Sequence, residues 1–282
     1  MDGYVEVSAL PPARAVIRTG EIKLHGPEGF AGMRRAGALT ALCLDGVAAL
    51  ATPGTPLSRI DAYVRDFAAT HGARPATLGY QGYAHACCTS VNHVVCHGFP
   101  TDRALRDGDI VNVDVTLVLD GWHGDSSRMY AVGRPGRAAA RLVAVAQGAM
   151  AAGIAAVRPG ARLGDIGHAI ERHAATHRCT VVREFCGRGI GRVFHDAPDV
   201  LNFGRPGTGP ELRPGMVFTV EPMVNLGRAA VRTRADGWTV VTRDRSLSAQ
   251  FEHSVGVTAE GVEIFTCSPG GLEAPGFDLG AA

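Results

Sequence analysis

The sequence predicts an α+β protein, α/β in the broad sense, whose two similar halves bring strands to one shared central sheet and pack helices on its outer face. Three observations predict it. Four segments repeat their apolar residues at three- and four-residue steps, short β-branched runs bounded by turn residues lie among them, and the order helix, helix, strands occurs twice.

Residues 1–26 hold Leu10-Pro11-Pro12 and a Thr19-Gly20 break with no sustained helical period, so an extended surface arm is expected there. From Pro27 to Leu50, Met33, Ala36, Leu39, Leu42, Cys43, Val47 and Leu50 mark one face of a helix that starts at a proline and stops at Thr52-Pro53-Gly54. A second helix is expected from Leu57 to His71, with Ile60, Tyr63, Val64 and Phe67 inward and Gly72 ending it. Between Ala76 and Val132 the texture turns to strands, with Ile110 to Leu119 and Trp122 to Val132 as the arms of a hairpin about Asp120-Gly121. Helices from Arg137 to Val157 and Leu163 to His177 follow, split by Arg158-Pro159-Gly160. Strands are then expected at Thr180–Glu184, Val217–Val224, Ala229–Val231, Trp238–Val241, Gln250–Val257 and Val262–Phe265. The domain should span residues 27–267, and the glycine- and proline-rich stretch 268–282 reads as a disordered tail.

With 282 residues and 46% hydrophobic content, the chain can bury one large core. Lysine plus arginine total 28 against 27 acids, a net charge of +1 that leaves no electrostatic footprint for nucleic acid or acidic lipid. Seven cysteines, an odd number without zinc-ribbon spacing, suit reduced thiols in a cytoplasm. The start, Met1-Asp2-Gly3-Tyr4-Val5-Glu6, lacks the basic and apolar regions of a signal peptide, and no window is expected to span a membrane.

Chemistry concentrates in carboxylates on apolar strands. Asp114 alternates with Val113 and Val115, so it points away from the face those valines bury, and Asp125 follows on the paired strand. Glu221 in Val220-Glu221-Pro222 and Glu252 in Gln250-Phe251-Glu252 sit in apolar runs, where an ionised acid costs several kcal/mol unless paired or metal-bound. Taken singly, Asp114 reads better as part of a hydrated strand face, and each of the others is open to the reading of a satisfied structural carboxylate. Four together in a near-neutral chain favour a metal site.

The segments Val95-Cys96-His97-Gly98, Asn112-Val113-Asp114, His123-Gly124-Asp125-Ser126-Ser127, Phe194-His195-Asp196, Val220-Glu221-Pro222-Met223 and Gln250-Phe251-Glu252-His253-Ser254 stand in the order found in bacterial type I methionine aminopeptidases of peptidase family M24. The resemblance runs from about Gly29 to Phe265. It implies a pita-bread fold and removal of N-terminal methionine from peptides or nascent chains with a small second residue, by a metal-activated hydroxide. It further implies divalent ions, cobalt, manganese, iron or zinc, on Asp114, Asp125, Glu221 and Glu252. His97 and His195 would contact the scissile amide, with Glu221 as both ligand and proton shuttle. Tyr80, Tyr83, Cys88, Phe194, Trp238 and Gln250 match the methionine pocket, Asn92, Val94 and Ser248 match a monovalent-cation site, and the family is usually monomeric.

One residue departs from that pattern. Arg188, in Cys186-Gly187-Arg188-Gly189, stands where the family has a metal-binding histidine, and a guanidinium has no lone pair to give a metal. One ion or none is therefore expected. The alternatives left open are an aminopeptidase with a single ion, a metal-independent enzyme for another amide, a peptide-binding pseudo-enzyme, and an Arg188 turned away from the cluster. His85 and His93 read as loop histidines with a conceivable ligand role.

Overall fold

The computed structural model describes residues 3–277. In chain order the elements are β1 (Tyr4–Glu6), α1 (Pro12–Ala15), β2 (Ile22–Leu24), α2 (Pro27–Val47), α3 (Leu57–Thr70), β3 (Arg74–Pro75), β4 (Cys88–Val91), β5 (Val94–Cys96), β6 (Ile110–Leu119), β7 (Trp122–Ala131), α4 (Arg137–Ala155) and α5 (Leu163–Thr176). The second half continues with β8 (Thr180–Val181), β9 (Gly187–Gly189), β10 (Asp196–Val200), β11 (Val217–Val220), β12 (Met223–Asn225), β13 (Val231–Thr233), β14 (Val240–Thr242), β15 (Ser248–Gln250), β16 (Glu252–Val257) and β17 (Val262–Ile264).

The central sheet runs β10-β9-β11-β16-β7-β6-β3, with β17 beside β16 and β4 beside β6, and its pairings are antiparallel. Its middle is the β6–β7 hairpin, in register from Ile110 opposite Ala131 to Leu119 opposite Trp122. Asp120 and Gly121 close it with φ of 51° and 79°, the left-handed pair that a two-residue hairpin turn requires. Period-two alternation then divides the sheet into faces. Val111, Val113, Val115 and Leu117 pack with Leu44, Val47, Ile60 and Val64 of α2 and α3 in one apolar cluster. Phe218, Val220, Val255 and Val257 do the same with Leu142, Val143, Ile166 and Ile170 of α4 and α5. Both helix pairs thus cover one face, and the residues between those valines, Asn112, Asp114 and Thr116, are left for the other. This is the pita-bread plan that the family resemblance implies.

Several expectations change in detail. The strand expected from Val217 to Val224 breaks at Glu221-Pro222, because proline has no N–H for the ladder, and β11 and β12 join different sheets. The strand expected from Gln250 to Val257 also breaks, at Phe251, and β15 and β16 join different sheets. Short strands β4, β5, β9 and β10 were too brief to show a period. The first helix ends at Val47 rather than Leu50. Helix α4 is, by length and composition, apolar enough to cross a membrane, contrary to expectation; its apolar face, including Leu142, Val143 and Met150, lies instead in the core.

The N-terminal segment is not a plain extended arm. β1 pairs in parallel with β2, a helical turn lies between them, and Lys23 and His25 are buried. The stretch from 268 onward is also held: Ser268 Oγ donates to Asp45 Oδ1 at 2.6 Å, and Ala274 and Phe277 pack on the larger core cluster. The rest of the expected tail, 278–282, lies outside the described residues.

His25 gives this anchoring a pH dependence. Its ring meets Trp122 edge-on at 5.6 Å, and burial, then the charges of Lys23 and Arg192, push it down to about 4. A histidine with a lowered folded pKa stabilises the fold above its unfolded value near 6.5 and loses that contribution as pH falls toward 4. Between pH 7 and 5 the urea unfolding free energy should drop by roughly 2 kcal/mol from this group alone. His25→Leu should flatten the curve by that amount; an unchanged slope would mean that His25 is not buried neutral.

Candidate active site

Asp114 and Asp125 reach one place along the diagonal of the hairpin rather than as opposed residues. Asp114 faces Ser127 and Thr116 faces Asp125, so the two acids lie on one face, two residues out of register. Glu252 of β16 stands opposite Ser127 from the other side. Small side chains at Thr116, Ser127 and Ser254 leave room for the acids, and Thr116 Oγ1 donates to Asp125 Oδ1 at 2.7 Å. One carboxylate oxygen from each of Asp114, Asp125 and Glu252 lies within 4.8 Å of the others. Glu221, at the break between β11 and β12, receives Thr219 Oγ1 at 2.7 Å on Oε1 and Gln250 Nε2 at 3.4 Å on Oε2.

Arg188 points into this cluster. Its strand is threaded between β10 and β11, and side chains at the flanking glycines would collide with backbone: a Cβ at Gly187 would lie 2.3 Å from Thr219 O and one at Gly189 2.0 Å from Ala197 O. Arg188 Nη1 donates to Glu221 Oε1 at 2.7 Å, Glu252 Oε1 at 3.0 Å and Thr219 Oγ1 at 3.0 Å, while Nη2 pairs closely with Asp125 Oδ2. Burial opposes the guanidinium's charge, but Asp125, Glu221 and Glu252 outweigh it and hold its pKa well above the ordinary value. Burial, followed by the neighbouring acids, raises Asp114 and Glu252 well above the usual carboxylate range; burial also raises Glu221.

These donors can be tested against metal ions. Three hard oxygen donors clustered at Asp114, Asp125 and Glu252 suit one divalent ion. The arrangement does not suit a second ion on the Glu221 side, where the guanidinium already spans Asp125, Glu221 and Glu252 as a fixed cation.

A cavity of about 400 Å³ opens over the cluster. His97, in the left-handed region at φ 55°, closes one side with Phe185 at 5.4 Å and Trp238 at 6.1 Å. His195 stacks on Tyr80 at 5.0 Å. Burial first, and then the charge of Arg188, push His97 down to about 4 and His195 to about 3, so both are neutral imidazoles at pH 7.

Residues 31–259, most of the chain, match metallopeptidase family M24. The chain belongs to that family. A curated relative, the methionine aminopeptidase of Rickettsia prowazekii, is 52% identical over 255 residues, covering 90% of this chain and 98% of its own. The methionine aminopeptidase of Escherichia coli K12 is 46% identical over 87% of this chain and 94% of its own. The crystal structure of the Rickettsia enzyme superposes with a TM-score of 0.87 at 53% identity, covering 87% of this chain and all of that one. Within M24 this protein is thus a methionine aminopeptidase-like metallohydrolase.

In this M24 chain the expected pocket residues Tyr80, Tyr83, Cys88, Phe194, Trp238 and Gln250 all line the cavity with His97, His195 and the four acids. Phe185, Cys96, Cys186 and Met223, to which the sequence attached no role of their own, line it too. Arg18 also reaches the cavity, unsignalled by the sequence. His85 and His93 do not join the cluster: His85 packs on Tyr83 and Phe99, and His93 Nε2 meets Arg234 at 3.3 Å. Asn92 clamps the hairpin, receiving Ile110 N on Oδ1 at 3.0 Å and donating to Asp109 Oδ1 at 2.7 Å. Its carbonyl accepts Ser248 N at 2.9 Å, while Ser248 Oγ is buried without a partner among the described residues.

Proposed function

We propose that the protein removes N-terminal methionine from peptides and nascent chains whose second residue is small, with one divalent ion instead of two. The observation that carries the single ion is Arg188, bonded to three of the four acids where the family's histidine ligand would stand. A divalent ion on Asp114, Asp125 and Glu252 would supply Lewis acidity and lower the pKa of a water. Charge supports this count, since four carboxylates less one guanidinium and one divalent ion leave a single negative charge, which a shared proton covers.

The protein's own groups do the rest. Glu221 Oε1 accepts from Arg188 and Thr219, while Oε2 accepts only the long 3.4 Å bond from Gln250 Nε2, so Oε2 is the atom better placed to take a proton from water and pass it to the departing amine. His97 and His195, kept neutral, orient the scissile amide by hydrogen bonding rather than by charge. Arg188 Nη2 has a second N–H with no protein acceptor among the described residues, and it would polarise the scissile carbonyl. Tyr80, Tyr83, Phe194 and Trp238 with the sulfur of Cys88 suit an unbranched thioether side chain. Asn92, Val94 and Ser248 would hold a monovalent cation, for which the unpartnered Ser248 Oγ offers a donor. A monomer in the cytoplasm, with its seven cysteines free, fits this work.

Cleavage of Met-Ala-Ser combined with elemental analysis tests the reading. Dialysis against chelator should abolish turnover, and re-addition of manganese, cobalt or iron should restore it with saturation at one ion per chain. Saturation at two ions would refute the single-ion count. A second reading draws on the fact that Arg188 already pairs with three of the four acids: hydrolysis of another amide by a metal-free site, or peptide binding without cleavage. Chelator-resistant turnover, or binding alone, would favour it.

A further inference from the structure

The cavity mouth carries a cation from a segment outside the M24 match. Lys23 is the only lysine in the sequence. Its side chain is 5% exposed, and Nζ donates to Ile17 O at 2.9 Å and pairs closely with Asp196, the residue after His195. A buried ammonium bridging a backbone carbonyl and a carboxylate fixes the chain from 17 to 23 against the start of β10. Arg18, next to the anchored carbonyl, lines the cavity and is close enough for its charge to act on His195. Arg18 makes no ion pair among the described residues, although Glu184 and Asp199 line the same cavity.

Resting on the aminopeptidase reading above, we propose that Arg18 is a specificity-determining residue that binds a substrate carboxylate downstream of the scissile bond. A methionine side chain seated among the aromatic walls and an amide held by His97 and His195 send the remaining peptide toward the mouth. An unpaired guanidinium there favours a carboxylate, either an acidic side chain at the third position or the free C-terminus of a tripeptide. Glu184 and Asp199, which line the same cavity, repel a carboxylate, so they hold the preference to the few-fold that Arg18 can supply. Lys23 is the positioning residue for Arg18.

Three peptides separate the two sources: Met-Ala-Ser with a free carboxylate, Met-Ala-Ser amide, and Met-Ala-Asp amide. KM and kcat are measured for each, and Kd by isothermal titration calorimetry. The acidic peptides should bind about threefold to fivefold more tightly than Met-Ala-Ser amide, with kcat unchanged, and the advantage should shrink in high salt. Preference for the free carboxylate alone would identify the C-terminus as the ligand, and preference for Met-Ala-Asp amide the side chain. Arg18→Ala should bring the ratios to one, and Arg18→Lys should keep part of the preference. Lys23→Met should lose the same preference, with far-ultraviolet circular dichroism confirming that it folds. Equal ratios in the native protein and Arg18→Ala would overturn the proposal. If no peptide is cleaved, the aminopeptidase reading fails, while the Kd ratios still decide the role of Arg18.

Discussion

Arg188→His is expected to raise saturating metal content from one to two ions per chain and to increase turnover of Met-Ala-Ser by about tenfold or more. The reason is charge and space together. The guanidinium spans Asp125, Glu221 and Glu252 with four hydrogen bonds from its two terminal nitrogens, counting that to Thr219. Replacing it with imidazole removes a fixed positive charge from three buried acids and supplies a nitrogen lone pair beside them. Without metal the acids of the variant must take up protons, since burial already raises Glu221 and Glu252. Metal binding then has to displace those protons. The variant should therefore show a steeper pH dependence of metal affinity than the parent, with binding strengthening as pH rises. Elemental analysis across pH 6 to 8, paired with the cleavage assay, checks both parts. A variant that binds no additional ion would show that something other than Arg188 keeps the second position closed.

How much of this was legible in the sequence depends on whether the signal was local. The helices α2 to α5 and the β6–β7 hairpin follow from apolar periods and turn residues that need no tertiary context. Asp114, Asp125, Glu221 and Glu252 were visible because an acid in an apolar strand is costly and must be answered. Their convergence was less visible: the diagonal pairing of Asp114 with Asp125 depends on register, and Glu221 owes its position to a break at Pro222 that an apolar run hides. The direction of Arg188 was undetermined, because a long side chain on a three-residue strand can face either way. Flanking backbone within van der Waals reach of Gly187 and Gly189, a tertiary fact, fixes that strand in place. Arg18 lay beyond reach altogether. It enters the cavity only because Lys23 finds Asp196, 173 residues along the chain.

The largest loss should come from Asp125, which serves the proposed ion and Arg188 at once. Asp125→Ala takes away one of three clustered metal donors and should reduce turnover of Met-Ala-Ser at least about a thousandfold, a loss of some 4 kcal/mol in transition-state stabilisation. Stability should fall as well, because the change strands part of a buried guanidinium. Breaking a buried pair costs about 3 to 5 kcal/mol, and the lower end is expected here since Glu221 and Glu252 still face Arg188. The two losses have different origins, and a second substitution separates them. In Asp125→Ala with Arg188→Met, the uncompensated cation is gone and a side chain of similar reach fills the space, so urea unfolding should recover most of the lost stability. Turnover should not recover, because the ligand is still missing. If the double variant is no more stable than Asp125→Ala, the Arg188–Asp125 pair does not govern the stability of the cluster, and the charge balance assigned to it is wrong.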